Sequence, residues 1–160
     1  MKSLFVALAL VGWSSAASAD VNTDSAQQFM ALCAQRLPET RQTVQLLKDE
    51  GWRYESTDGS FHVYSRNGRR VIAATSVTSS PQQGCMSAVS KLNKAGAIAL
   101  GSKLAAQLGF QLLKSPPPGS PPGTLAVWVG RVNSVKAGIV AYPPQSFYVM
   151  RGAGIVLLTE

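Results

Sequence analysis

Apolar residues recur at every fourth position in the stretch SAQQFMALCAQRL. Phe29, Cys33 and Leu37 stand at i, i+4 and i+8, with Met30 and Leu32 beside them. This spacing predicts a helix over residues 25–37 with the Cys33 side chain on its buried face. Pro38 interrupts and suits the first turn of a second helix, ETRQTVQLLKDE, with Val44 and Leu47 as core contacts. Gly51 stops that helix as its C′ residue.

The period then changes. WRYESTDGSFHVYSRNGRRVIAATSV is rich in β-formers and is punctuated by Asp58-Gly59 and Asn67-Gly68, both with hairpin-turn chemistry. It predicts a three-stranded meander. With a two-residue loop at Asn67-Gly68, Arg66 faces Arg69, Tyr64 faces Val71, Val63 faces Ile72 and Phe61 faces Ala74. Phe61, Val63, Ile72 and Ala74 then form the core face, and His62, Tyr64, Arg66 and Arg69 the other. TSSPQQG reads as a loop, and CMSAVSKL as a short fourth strand. NKAGAIALGSKLAAQLGFQLL predicts a helix with Asn93 as N-cap and a stripe of Leu100, Leu104, Leu108 and Leu112.

SPPPGSPPG, residues 115–123, holds five of the nine prolines and excludes helix and central strand. It is either a semi-rigid connector or a polyproline-type ligand for another protein. TLAVWVGRV, SVKAGIVAY, SFYVM and AGIVLLTE follow as β-rich segments separated by Gly, Asn-Ser or Pro-Pro. No internal repeat is visible. The order of elements gives an α+β fold, with helices packed on a predominantly antiparallel sheet.

The N-terminus sets the compartment. Lys2, the apolar run from Leu4 to Val11 and the small residues Ala17-Ser18-Ala19 have the form of a secretory signal peptide over residues 1–19, cleaved near Ala19-Asp20. The run is too short to span a bilayer, which takes roughly 20 apolar residues, and no later segment is apolar enough. Residues 20–160 are expected to be a single exported domain. Two cysteines in an oxidising space point to a Cys33–Cys85 disulfide. Closing a loop of about 52 residues stabilises by roughly 4 kcal/mol in the chain-entropy model.

Charge adds a second feature. The chain carries 15 Lys and Arg against 8 Asp and Glu, a formal +7. Residues 59–159 contain ten bases and no acid. Such a field either simply solvates the protein or concentrates anions such as lipopolysaccharide, anionic lipid or another polyanion. The hairpin SRNGRR is the sharpest local candidate, with Arg66, Arg69 and Arg70 beside Tyr64 and His62 as an anion-binding group. A like-charge pair across two strands is unfavourable without an anion between, and arginine's fork suits phosphate or carboxylate.

Other chemistry finds little support. His62 is the only histidine, and with both cysteines paired, zinc and copper lack ligands. No G-x-S-x-G, S-x-x-K, Walker A or G-x-G-x-x-G occurs. No catalytic residue, metal or cofactor is expected. Nucleic acid is disfavoured as a partner, since no RNP, KH or helix-turn-helix signature accompanies the basic and aromatic residues.

The arrangement FMALCAQRLPET, LLKDEGW, GCMSAV, AGAIALGSKLAAQLGF and VLLT resembles small exported proteins of Gram-negative bacteria with no characterised activity. In these a helix cysteine precedes Gly-Trp and a strand cysteine follows it, here Cys33, Gly51-Trp52 and Cys85. The resemblance implies a periplasmic, disulfide-bonded domain and names no ligand. The expected function is non-enzymatic interaction, as an adaptor or inhibitor of a partner protein. The alternative is a basic envelope protein binding anionic ligands, and the third reading a hydrolase.

Overall fold

A computed structural model describes residues 20–37, 43–76 and 83–159. The signal peptide, the helix start at Pro38 and the Val44 side chain lie outside the described residues. Within them the chain runs α1 (Val21–Arg36), α2 (Thr43–Asp49), β1 (Arg53–Asp58), β2 (Phe61–Arg66), β3 (Val71–Ser76) and β4 (Gly84–Ser90). It continues with α3 (Lys94–Leu108), β5 (Gln111–Leu112), β6 (Ala126–Val132), β7 (Val135–Phe147) and β8 (Met150–Thr159). The strands form one sheet in the order β1-β2-β3-β4-β8-β7-β6-β5, and every neighbouring pair is antiparallel. This is the expected α+β class.

The order contains a repeat that the sequence hides. α1 with β1–β4 and α3 with β5–β8 are two helix-plus-meander units, joined where β4 pairs with β8. α1 packs on β3 and β4, and α3 on β6, β7 and β8. The helices lie side by side, linked by a Gln27 Nε2 to Gln107 Oε1 hydrogen bond of 2.7 Å and an exposed Lys103–Asp24 pair at 3.7 Å. Phe29, Met30 and Cys33 of α1 and Leu100 and Leu104 of α3 meet Ile139, Ile155 and Leu157 of the sheet in one core.

Local chemistry sets the helix ends. Asp20 caps α1, and the Asn93 Oδ1 accepts from the Gly96 N–H at 2.8 Å to cap α3. At Gly51, φ +78, the Trp52 N–H returns to the Leu47 carbonyl and the Gly51 N–H to that of Lys48, the Schellman arrangement. α3 stops earlier than expected. Gly109 turns left-handed, and Leu112 leaves the helical stripe for a short edge strand, 61% exposed. Cys33 and Cys85 form the disulfide, Cα atoms 6.4 Å apart, fastening α1 to β4.

The β2–β3 register differs from expectation. Asn67, Gly68 and Arg69 all take left-handed φ, so the loop has four residues and Arg66 faces Val71 instead of Arg69. Tyr64 faces Ala73, Val63 faces Ala74 and Phe61 faces Ser76. An even shift preserves the faces, so Phe61, Val63, Ile72 and Ala74 stay together. Their face is not the helix-covered one, however. Tyr64, Val71 and Ala73 pack in the core beneath the helices.

The proline-rich stretch is an ordered connector of two successive turns. Gly119 (φ +86) and Gly123 (φ +82) sit at the third position of each, as type II turns require. The Ser120 and Thr124 amides and hydroxyls return to the Pro117 and Pro121 carbonyls. Pro143-Pro144 does not end a strand either. β7 runs through it, with a register shift between Tyr142 and Gln145, and SFYVM is split by the turn into β8.

Candidate functional site

β3 is buried on both sides along its whole length. One side lies under α1. Val63, Ile72 and Ala74 point to the other, where no described helix packs, yet they are at most 4% exposed. Phe61, Met86, Val156 and Leu158 of the sheet stand around them on that face. At the β4–β8 seam, a Cβ on Gly152 or Gly154 would run into the Val89 or Ser87 carbonyl oxygen, and one on Gly84 would sit 2.6 Å from that of Leu157. Glycine at these three places lets the β4 and β8 backbones approach without a side chain between them.

That face carries an apolar groove of about 300 Å³, lined by Phe61, Val63, Ile72, Met86, Val156 and Leu158 and bounded by Tyr148 and Asp58. Phe61, Leu158 and Tyr148 are 37%, 39% and 46% exposed. Ser65 shares the strand face of Val63 and carries the groove surface toward the β2–β3 loop. Its hydroxyl donates to Glu55 Oε1 at 2.6 Å, while Arg69 Nη2 donates to Oε2 at 2.7 Å and Nε to Oε1 at 3.2 Å. The hydrogen bonds from Arg69 and then Ser65 hold the Glu55 carboxyl below its ordinary range. Glu55 occupies a register shift in β1, between Tyr54 and Ser56.

The five residues expected to bind an anion do not converge. Tyr64 is in the helix-side core, where burial pushes its phenol up. Arg66 lies 5.7 Å over the Trp52 ring, beside α1. Arg69 is held by Glu55. Arg70 is exposed at the loop end. His62 Nδ1 is 3.0 Å from the Thr57 hydroxyl, with its ring edge-on to Tyr54.

A second opening lies at the sheet end that carries the β2–β3 loop. The Ser90 amide donates to the Arg70 carbonyl, and Ser90 pairs with Gly152. Lys91, Asn93, Pro144, Arg151 and Gly152 line a cavity of about 390 Å³ there. The acid-free composition of residues 59–159 was the only sequence signal for it, because Lys91 and Arg151 meet only through the β4–β8 pairing.

No protein-family model, curated protein or solved structure matches this chain.

The described residues hold no group of three or more His, Cys, Asp or Glu placed to bind a metal, and both thiols are in the disulfide. No described helix is long and apolar enough to cross a membrane. Sequence reasoning missed Met86, Tyr148, Val156 and Leu158 as groove residues. The available signal was a sheet with apolar residues at successive positions, IAA in β3 and IVLL in β8, which marks strands buried on both faces.

Proposed function

We propose that this protein is a non-enzymatic binding domain whose ligand lies in the groove between Phe61 and Leu158. The observation that carries this reading is an apolar opening lined by sheet residues and left uncovered by every described helix. Concave apolar sites with a few polar groups at their borders are the usual form of ligand pockets. The neighbouring titratable groups favour binding over catalysis: Glu55 is engaged by Arg69 and Ser65, and His62 by Thr57. The leader pattern, the disulfide and the resemblance to exported proteins support release into the periplasm or beyond after cleavage near Asp20. A partner protein presenting an apolar segment is the adaptor or inhibitor form of the same reading.

The test uses a neutral polarity-sensitive dye such as Nile red. The oxidised protein should enhance and blue-shift its emission. Leu158→Glu, at a part-exposed position, should weaken binding by about tenfold or more, while Val149→Glu, outside the groove lining, should leave it intact. No enhancement by the parent protein, or an unchanged response in a folded Leu158→Glu variant, would sink the proposal.

A further inference from the structure

The groove has a direction. Phe61 pairs with Ser76, the Gly84 amide donates to the Ser76 hydroxyl, and Gly84 pairs with Leu158. The part-exposed Phe61 and Leu158 therefore flank one mouth, beside the β1–β2 turn. Ile72 lies four residues along β3 from Ser76, about 13 Å further in. Tyr148, in the β7–β8 turn, bounds that far end, because Gly152 pairs with Ser90, whose amide reaches the Arg70 carbonyl. Asp58 stands at the mouth. It pairs with Phe61 across β1 and β2, which puts both side chains on the groove face. Asp58 makes no ion pair among the described residues, whereas Glu55, the other acid of β1, is taken by Arg69, Arg53 and Ser65. Every other lining residue comes from the segment 59–159, which has ten bases and no acid, yet no lysine or arginine lines the groove. Lys136 stands on β7 two residues beyond the Gly138–Leu158 pair, outside the lining.

From this juxtaposition we infer that the groove's ligand is a cationic amphiphile, its apolar chain running from Leu158 toward Tyr148 and its ammonium head at the mouth beside Asp58. The inference rests on the groove being the binding site. The chain as a whole is formally +7 and its overall field draws anions, but the one charge that faces the groove has the opposite sign. An ammonium head at the mouth pairs with the Asp58 carboxylate and lies beside the Phe61 ring, whose face attracts cations. An anionic head would meet an unpaired carboxylate, and a neutral one would leave it unused.

Calorimetric titration of the oxidised protein below the micelle concentration tests it, using decylammonium, decyl sulfate, decanol and, as the head alone, methylammonium. Decylammonium should bind about threefold or more tightly than decyl sulfate, the size of one solvent-exposed charge pair. A molecule governed by its net charge would choose the sulfate instead. Asp58→Asn, which keeps the turn chemistry beside Gly59, should erase the preference and leave decanol and Nile red unchanged. Asp58→Lys should reverse it. Sulfate binding as tightly as the amine, a preference that survives Asp58→Asn, or methylammonium binding as tightly as decylammonium would overturn the inference. If decanol or Nile red still binds in those cases, the groove reading stands alone. If neither dye nor any amphiphile binds, both fall.

Discussion

The two helix-plus-meander halves share a topology and almost nothing else. The first carries every described acid, from Asp20 to Asp58, whereas residues 91–159 hold seven bases and no acid. The first fastens its helix covalently, through Cys33 and Cys85. The second does so by close approach: a Cβ at Gly101 would lie 2.6 Å from the Trp128 ring. A glycine in mid-helix costs about 1 kcal/mol against alanine, and here it admits an indole into the core. The contrast teaches that the path of the chain sets where helices lie, while side chains decide how they are held and what field they present.

Removing the staple should have the largest effect. Cys33→Ala with Cys85→Ala should lower stability by about 4 kcal/mol in denaturant unfolding. A loss below about 1 kcal/mol would mean that packing alone holds α1, as it does α3, and the contrast would vanish. Gly101→Val attacks the other anchor. It should cost about 1–3 kcal/mol through overpacking against Trp128, and a neutral outcome would show that α3 can shift freely. The smallest effect concerns Glu55 in the first half. Its folded pKa lies below its ordinary 4.5, so the stabilisation is present above that value and fades as pH falls through the folded pKa. Glu55→Gln should flatten the acid limb of the stability profile below about pH 4.5 and leave the neutral region's slope unchanged.

Much of the first half was legible in its sequence. The helical spacing of Phe29 and Cys33, the stop at Gly51 and the oxidised cysteine pair each rest on local chemistry or on compartment. The asparagine cap of α3 was legible for the same reason. What escaped depended on distant backbone. The loop at Asn67-Gly68 is lengthened because Arg69 also takes a left-handed φ, a choice accompanied by its pairing with Glu55 on β1. The periodicity placed Phe61, Val63, Ile72 and Ala74 together, but could not say which face the helices cover, because both faces of β3 are apolar. The groove and the Lys91–Arg151 opening depend on β4 meeting β8, which no local pattern announces.

That meeting has a consequence for when the groove is formed. Six of the seven strand pairings join consecutive strands, and only β4 with β8 brings together residues far apart along the chain. Such long-range closure is the slow event in assembly. Met86 belongs to one partner and Val156 and Leu158 to the other, so neither half alone supplies the whole lining of the groove, and the groove exists only once the β4–β8 seam has closed.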